Sequence, residues 1–251
     1  MRRLWISLLV MPLVLVIPTA AFATSSVHAA SSVRAASSVR AAHESPAVAA
    51  GTLRLGMKGA AIKQLQRRLA ALKYYPGSID GNFGTSTEEA VWAFQEVQGL
   101  PGEDYVSSAM QKALANPRAP KVLVPRGGAN RIEINLGIEV LVLYKNNQVQ
   151  LISHVSSGGG YYFCSPGGGC GYAITPTGNF HTLSFFPGWL AVPLGFMYNP
   201  VFFLGTAYAI HGDIPVPLEP VSHGCVRIPM DIAAFFHTLV KVPGEPVYIR
   251  R

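Results

Sequence analysis

The hydrophobic positions of this chain change their period near residue 130, which divides it into two parts. Apolar side chains recur at helical spacing over residues 62–72. A Ser-Thr-Glu-Glu run at residues 86–89 predicts a capping box that opens a second helix, and Ser107 predicts the cap of a third. Residues 52–116 are therefore predicted to form a small all-α module of three helices.

The pattern of residues 130–251 is typical of β-strands. Apolar positions alternate with a period of two over residues 132–136, and a hairpin with Asn-Asn at its turn is predicted over residues 140–155. Only residues 229–240 have a helical pattern. We expect a mostly-β domain of sandwich or barrel type, joined to the helical module by a linker at residues 117–129.

The first 51 residues follow neither pattern. A basic start, an apolar run and a small-residue site ending at Ala23 are typical of a secretory signal peptide over residues 1–23. An uncleaved anchor is the alternative. Three SSV(H/R)AA repeats follow, and residues 24–51 are predicted to be a disordered low-complexity tether. These features predict a secreted or cell-envelope protein with no stable membrane span after cleavage.

Composition and cysteine usage indicate the partners, the compartment and the kind of activity to expect. The formal net charge is +7, spread along the chain without a basic run, so nucleic acid is not an expected partner. A mild positive field suits an anionic cell envelope. Cys164 and Cys170 are close enough in sequence for a small disulfide loop in an oxidising compartment. That pairing leaves Cys225 as a free thiol, which suggests a catalytic nucleophile.

The segment SHGCVR at residues 222–227, preceded by His-Gly at 211–212, carries the candidate chemistry. A neighbouring imidazole can take the proton of a thiol and produce a nucleophile, here Cys225. His211 comes from a separate segment and can approach Cys225 from a facing strand, so His211 is the predicted general base and acid, and His223 orients the loop or polarises the site.

Two further residues of this segment have predicted roles. Backbone N–H groups around Gly224 are candidate donors to an oxyanion, and the planar fork of Arg227 is placed to hold a carboxylate. A metal site of His211, His223 and Cys225 is the rival chemical interpretation. No metal-binding motif or acidic partner supports it, so neither a metal nor another cofactor is expected.

Both parts of the chain resemble known families. Residues 52–116 resemble the small peptidoglycan-binding domain of wall enzymes, and the later part resembles the catalytic domain of L,D-transpeptidases, the YkuD-like domain. The matching motifs of the first part are LGxxG at 55–59, LQxxL at 65–69, DGNFG at 80–84 and AVxxFQ at 90–95. Those of the second are TPTGNF at 175–180, PLGxMY at 193–198, His-Gly at 211–212 and SHGCVR at 222–227.

The second resemblance implies a β-sandwich-like fold and acyl transfer in cell wall biogenesis, which maintains cell shape. The thiolate of Cys225 attacks an L-centre, usually diaminopimelate, in a peptidoglycan tetrapeptide stem and releases D-alanine. An amine of a second stem then resolves the thioester and forms a 3→3 cross-link. His211 is the implied proton donor and acceptor, His223 and Gly224 belong to the site loop, and the implied contacts with the stem peptides are Ser222, Tyr198 and Arg227.

Several alternatives stay open at the level of sequence. If water replaces the amine, the protein is an L,D-carboxypeptidase or endopeptidase. A non-enzymatic hypothesis is a wall-binding protein with an inactive catalytic domain. A papain-like hydrolase is disfavoured because such enzymes place Cys before His. The Gly-rich insertion at residues 158–171 is either a lid stiffened by a disulfide or a loop without a role. The helical module binds peptidoglycan and glycan or is a packing module alone.

Overall fold

The computed structural model describes residues 52–166 and 168–251 of the 251-residue chain. The predicted signal peptide and tether lie outside the described residues. None of the described helices has the length and apolar character needed to cross a bilayer.

The N-terminal module contains three helices, as predicted: α1 (Ala60–Ala71), α2 (Thr85–Gln98) and α3 (Ser108–Ala115). Ser107 caps α3, since its hydroxyl accepts from the N–H of Met110 at 3.3 Å. Gly99 ends α2 in a left-handed conformation, with φ of 67°. A short ribbon that the sequence pattern did not predict pairs β1 (Leu53–Arg54) at the start of the module with β2 (Tyr105–Val106), which lies between α2 and α3.

The predicted capping box at residues 86–89 is wrong in detail. The N-cap of α2 is Gly84, two residues before the predicted cap Ser86, and it makes no side-chain cap. The Thr87 hydroxyl donates instead to the carbonyl of Pro76 at 3.0 Å, and Glu89 is buried. These side chains therefore serve tertiary contacts rather than the helix end.

The C-terminal part is mostly β, as predicted, with two five-stranded sheets and two further strands in a hairpin. The module-facing sheet has the order β5-β4-β3-β14-β8, and the site sheet has the order β10-β11-β12-β13 with β9 paired to β11. In chain order, the strands are β3 (Arg131–Asn135), β4 (Val140–Lys145), β5 (Gln148–His154), β6 (Tyr162–Cys164), β7 (Cys170–Tyr172), β8 (Gly178–His181), β9 (Ser184–Phe185), β10 (Trp189–Val192), β11 (Gly195–Leu204), β12 (Tyr208–Gly212), β13 (Val226–Ile228) and β14 (Pro246–Arg250).

The main core lies between these two sheets. Inward side chains such as Ile134 and Leu143 of the module-facing sheet meet Phe203 and Ile210 of the site sheet. Helix α4 (Met230–Leu239), the helix predicted at the C-terminal end, packs Phe236 into the same cluster. The turn of the β4–β5 hairpin has two Asn residues with positive φ, as its sequence predicted.

A second core joins the helical module to the module-facing sheet. Strand β4 alternates so that Leu141 and Leu143 enter the main core, while Val142 and Tyr144 pack among the side chains of the module helices. Both faces of β4 are thus covered, which accounts for its unbroken apolar run. The predicted linker, residues 117–129, has no helix or strand, and Gln98 holds it through both the N–H and the carbonyl of Arg118.

Replacing Glu89 by Gln is expected to stabilise the fold increasingly as the pH rises. Burial, with the charge of Asp231 and against the influence of His154, raises the pKa of Glu89 to about 8. The folded chain then keeps a proton that the unfolded chain releases near pH ~4.3, so the stability of the wild type falls through this window. Thermal unfolding should show Glu89→Gln above wild type by roughly 3 °C or more at about pH 9, with a smaller difference at about pH 5.

Glu103→Gln is the matched control, because its carboxylate accepts only from the nearby Tyr105 hydroxyl among the described contacts. Equal differences for Glu89→Gln at both pH values would contradict the burial of an uncharged Glu89.

Candidate active site

The two strands that carry the predicted catalytic residues pair in parallel. Ile210 of β12 lies opposite Val226 of β13, and His211 lies opposite Arg227. Ile210 and Val226 are fully buried in the core between the sheets. Because side chains alternate along a strand, His211 and Arg227 face the other side of the sheet, and so does Cys225. The register alone thus brings the predicted nucleophile and base to one face.

A groove of about 300 Å³ opens over that face. Cys225, His211, His223 and Arg227 all line it, and the Cys225 thiol is partly exposed there. Behind the thiol, Ala209 and a small apolar cluster form the surface of the sheet. The structure therefore brings together the four side chains that the sequence predicted as chemically active.

The Gly-rich insertion forms the hairpin β6–β7 at the mouth of the groove, and its predicted disulfide, Cys164–Cys170, is confirmed. Phe163 lines the groove, and its ring centre lies 4.7 Å from that of His223. The ring centre of Tyr161 lies 5.5 Å from that of His223. The insertion therefore contacts residues 222–225, which we call the nucleophile loop. The lid interpretation requires such a contact.

A hydrogen bond from the His211 ring fixes the tautomer in which Nδ1 is protonated and Nε2 is free to accept a proton. Nδ1 lies 2.9 Å from the carbonyl oxygen of Gly212, which can only accept, so Nδ1 carries the proton. The neutral ring then has its lone pair on Nε2, the atom that can take a proton. Burial lowers the pKa of His211, and the charge of Arg227 lowers it further, against the carbonyl of Gly212 and the carboxylate of Asp213.

The thiol of Cys225 is uncharged at rest. Burial raises its pKa, more than the backbone N–H of Ala209 and the charge of Arg227 lower it. Its Sγ lies 3.7 Å from the carbonyl oxygen of Ala207, to which the S–H donates. The site thus holds a thiol beside a neutral imidazole rather than a preformed ion pair.

Ser222 and Gly224 shape the loop that presents Cys225. The Ser222 hydroxyl accepts from the N–H of Gly224 at 3.0 Å and donates to the carbonyl of Cys225. This buried hydroxyl thus donates and accepts inside the loop, while Ser222, for which the sequence predicts a substrate contact, also lines the groove. The N–H of Gly224 is likewise engaged, which leaves the N–H groups of His223 and Cys225 as the candidate oxyanion donors.

Thr175, to which the sequence analysis gave no role, supports the same loop. Its hydroxyl donates to the carbonyl of Gly224 at 2.8 Å and accepts from the N–H of Gly158 at 2.8 Å. The threonine of the TPTGNF motif therefore ties the start of the lid segment to the nucleophile loop.

Asp213 is a second residue that the sequence analysis missed. Its Oδ2 lies 2.9 Å from Nε of Arg227, and both side chains line the groove. The position of Asp213, directly after the His-Gly pair, was the available signal. The ion pair orients the guanidinium while its terminal nitrogens stay available to an anion.

Comparison with known proteins agrees with this geometry. A profile described as a putative peptidoglycan binding domain matches residues 58–114, and one described as an L,D-transpeptidase catalytic domain matches residues 129–249. The crystal structure of the L,D-transpeptidase of Xylanimonas cellulosilytica is 31% identical, with a TM-score of 0.73, over 79% of this chain and 97% of that one. The chain belongs to the L,D-transpeptidase family.

Two curated relatives match a shorter part of the chain. One, named a zinc D-Ala-D-Ala carboxypeptidase, of Streptomyces albus G, is 42% identical over 65 residues, which are 24% of this chain and 24% of the relative. The other, named a probable N-acetylmuramoyl-L-alanine amidase, of Bacillus licheniformis, is 44% identical over 63 residues, 23% of this chain and 18% of the relative. The chain thus spans a quarter or less of the length of these curated relatives.

In this L,D-transpeptidase domain, Tyr198 lies away from the groove to which the sequence assigned it. Its neighbour Met197 lines the groove, whereas Tyr198 packs on the main core, with its ring 5.2 Å from that of Trp189. Tyr198 is paired across the strands with Trp189 of β10, and their two rings lie on the same side of the sheet. Within the described residues, no group of three or more His, Cys, Asp or Glu side chains is arranged to hold a metal ion.

Gly224→Ala is expected to abolish most activity of the transpeptidase domain while leaving wall binding intact. Gly224 has φ of +138°, and an added Cβ would lie 2.7 Å from Cε1 of Tyr208 and 3.0 Å from the carbonyl oxygen of Ile174. Relief of these contacts must displace the loop that holds Cys225, and a shift of ~1 Å at such a site costs about a hundredfold in rate. Steady-state turnover and binding to isolated sacculi check this.

Gly84→Ala serves as the control, since a Cβ there meets open space. Turnover of Gly224→Ala within about threefold of the control would contradict the need for glycine in the loop.

Proposed function

We propose that this chain is an exported peptidoglycan L,D-transpeptidase with Cys225 as its nucleophile. The observation that carries the proposal is the juxtaposition of a free thiol with a neutral imidazole whose Nδ1–H is held by the carbonyl of Gly212, on one face of the site sheet. That arrangement suits transfer of the thiol proton to His211 when a carbonyl group enters the groove.

The first half-reaction forms a thioester. Nε2 of His211 takes the proton of Cys225, and the thiolate attacks the carbonyl carbon that precedes D-alanine in a tetrapeptide stem. Backbone N–H groups of His223 and Cys225 are the donors that stabilise the resulting oxyanion. Collapse of the tetrahedral intermediate breaks the amide bond, and His211 returns the proton to the departing amine of D-alanine.

The second half-reaction transfers the acyl group. An amine of a second stem attacks the thioester, gives its proton to His211 and displaces the Cys225 thiolate, which is then reprotonated. A shallower depression adjoins the groove and shares Phe196, Asp213 and Arg227 with it. We assign the groove and this depression to the two stems, with the cation of Arg227 as a contact for a stem carboxylate.

The remaining parts of the chain fit a role in the cell envelope. The peptidoglycan-binding domain holds the catalytic domain on its polymeric substrate, and the predicted signal peptide directs the chain out of the cell. A disulfide at the mouth of the groove suits an oxidising compartment.

Incubation of the purified protein with disaccharide-tetrapeptide tests the reaction. Mass spectrometry should show cross-linked dimers together with free D-alanine. Shortened stems without dimers would instead identify an L,D-carboxypeptidase, in which water replaces the amine. No product at all would favour a wall-binding protein without activity.

Cys225→Ala is expected to form no product and to keep its binding to sacculi. Intact-mass measurement with a carbapenem should show one covalent adduct on the wild type and none on this variant, because Cys164 and Cys170 are disulfide-bonded. An adduct on Cys225→Ala would contradict the role of this thiol.

His211→Ala is expected to lower kcat by about a hundredfold or more, the range of a lost general base. The ring must be neutral to accept a proton, so activity falls as the pH drops through its pKa. Because burial and Arg227 lower this pKa, the acidic limb of kcat/KM in the wild type should have its midpoint below about pH 6.5. Substantial residual activity in His211→Ala would move the base role to His223.

A further inference from the structure

The loop that leads into the nucleophile is fastened along its length by the end of β5 and the residues after it. We call residues 213–221 the pre-nucleophile loop. The Ser156 hydroxyl donates to the carbonyl of Glu219 at 2.7 Å and accepts from the N–H of Val221 at 3.2 Å. The backbone of Ser156 also exchanges hydrogen bonds of 3.1 and 3.0 Å with Arg227. The position of Cys225 therefore depends on where this segment lies.

A buried carboxylate holds this segment from behind. Glu139 accepts from the N–H of Ser157 at 2.7 Å and from its hydroxyl at 2.8 Å. The carbonyl of Ser157 in turn accepts from the N–H of Ser222 at 2.9 Å. Hydrogen bonds therefore connect Glu139, next to β4, through Ser157 to Ser222 of the nucleophile loop.

His154 adds a contact from the peptidoglycan-binding domain. Its side chain is fully buried, with Nε2 3.0 Å from the carbonyl oxygen of Pro217 in the pre-nucleophile loop. On the other side of the ring, Nδ1 lies 2.8 Å from Oε1 of Glu96 in α2. The imidazole thus bridges the peptidoglycan-binding domain and the loop that leads to Cys225.

The hydrogen bonds of the bridge can form whether the proton between Glu96 and His154 lies on the carboxyl group or on the imidazole. The carbonyl of Pro217 only accepts, so Nε2 of His154 carries a hydrogen. Nδ1 then either donates to a charged Glu96 or accepts from a protonated one. Burial raises the pKa of Glu96 to about 7, and the pKa of His154 is also raised, because Glu96, Pro217 and Glu89 together outweigh its burial.

Packing around the bridge keeps it in place. The ring of Trp92 meets His154 edge-on at 5.6 Å, and Ile152 of β5 belongs to the core of the helical module. Gly102 approaches the pre-nucleophile loop so closely that an added Cβ would lie 2.8 Å from Cδ1 of Leu218. The peptidoglycan-binding domain therefore approaches this loop directly at Gly102 and reaches it a second time through His154.

We infer that Glu96 and His154 are positioning residues for Cys225, so that the peptidoglycan-binding domain is a structural part of the active site as well as a wall anchor. The bridge fixes the pre-nucleophile loop, and the loop fixes the thiol relative to His211. The inference rests on the proposed function in that Cys225 is the group whose reactivity is set.

Two substitutions of Glu96 separate this role from general stability. Glu96→Gln keeps the reach and can donate to, or accept from, Nδ1 of His154, whereas Glu96→Asp keeps the charge but is one methylene too short. With disaccharide-tetrapeptide, Glu96→Asp should lower kcat by about tenfold to a hundredfold with KM within about threefold, and Glu96→Gln should retain at least about half of the wild-type kcat. Binding of both variants to sacculi should match the wild type.

Glu103→Asp is the matched control, because it makes the same shortening in the same domain at a carboxylate bound only to Tyr105 among the described contacts. All rates are measured well below the unfolding temperature and expressed per folded protein. If Glu96→Asp does not fold, His154→Leu replaces it, since an aliphatic side chain forms no hydrogen bond with Glu96 or Pro217, and the same loss of kcat is expected. A kcat of the substituted protein within about twofold of wild type overturns the inference.

The pH profile of alkylation of Cys225 by iodoacetamide distinguishes this inference from the proposed function. The midpoint of this profile is the pKa of the thiol, which depends on the surrounding groups His211, His223, Arg227 and Asp213. The measurement requires no catalytic turnover. A shift of the midpoint by about half a pH unit or more in Glu96→Asp, with none in Glu103→Asp, supports the bridge even if the wild type forms no product. Superimposable profiles of Glu96→Asp and wild type overturn it even if the wild type is an active transpeptidase.

Discussion

The parallel pairing of β12 with β13 is the constraint on which the site depends. It sends Ile210 and Val226 into the core and thereby turns His211 and Cys225 toward the groove. A slip of one residue in either strand would exchange these faces, burying charged and polar groups and exposing the core side chains. The apolar area behind the strands therefore fixes the face of the sheet on which the thiol and the imidazole lie.

Burial gives the site its electrostatic character. It raises the pKa of Cys225 and lowers that of His211, so both groups rest without charge. The ion pair of Arg227 with Asp213 is the charged feature beside them, and it acts on both groups from the groove wall. A thiol kept protonated in this way is less open to oxidation, because the thiolate is the reactive form.

Strands β5 and β4 both join the helical module to the catalytic domain, and the two faces of β4 belong to two different cores. Because this strand cannot be exposed on either side, the two domains pack as a continuous body. The bridge from Glu96 through His154 to Pro217 lies at this boundary, and the β6–β7 hairpin contacts His223 at the mouth of the groove. The nucleophile loop is held from both sides.

Local patterns in the sequence were enough for the helices, the Ser107 cap, the Asn-Asn turn and the disulfide, because each depends on residues close together in the chain. The motifs also identified Cys225, His211, His223 and Arg227, which the structure brings to one groove. The sequence pattern was wrong where a side chain serves a distant contact: Thr87 bonds Pro76 in place of a helix cap, and Tyr198 packs on the main core. Only the tertiary structure decided these, together with the roles of Asp213, Thr175 and Glu96, because a hydrogen bond between residues far apart in the chain leaves no periodic trace in it. The unbroken apolar run of β4 was the one local sign that a second domain covers the sheet.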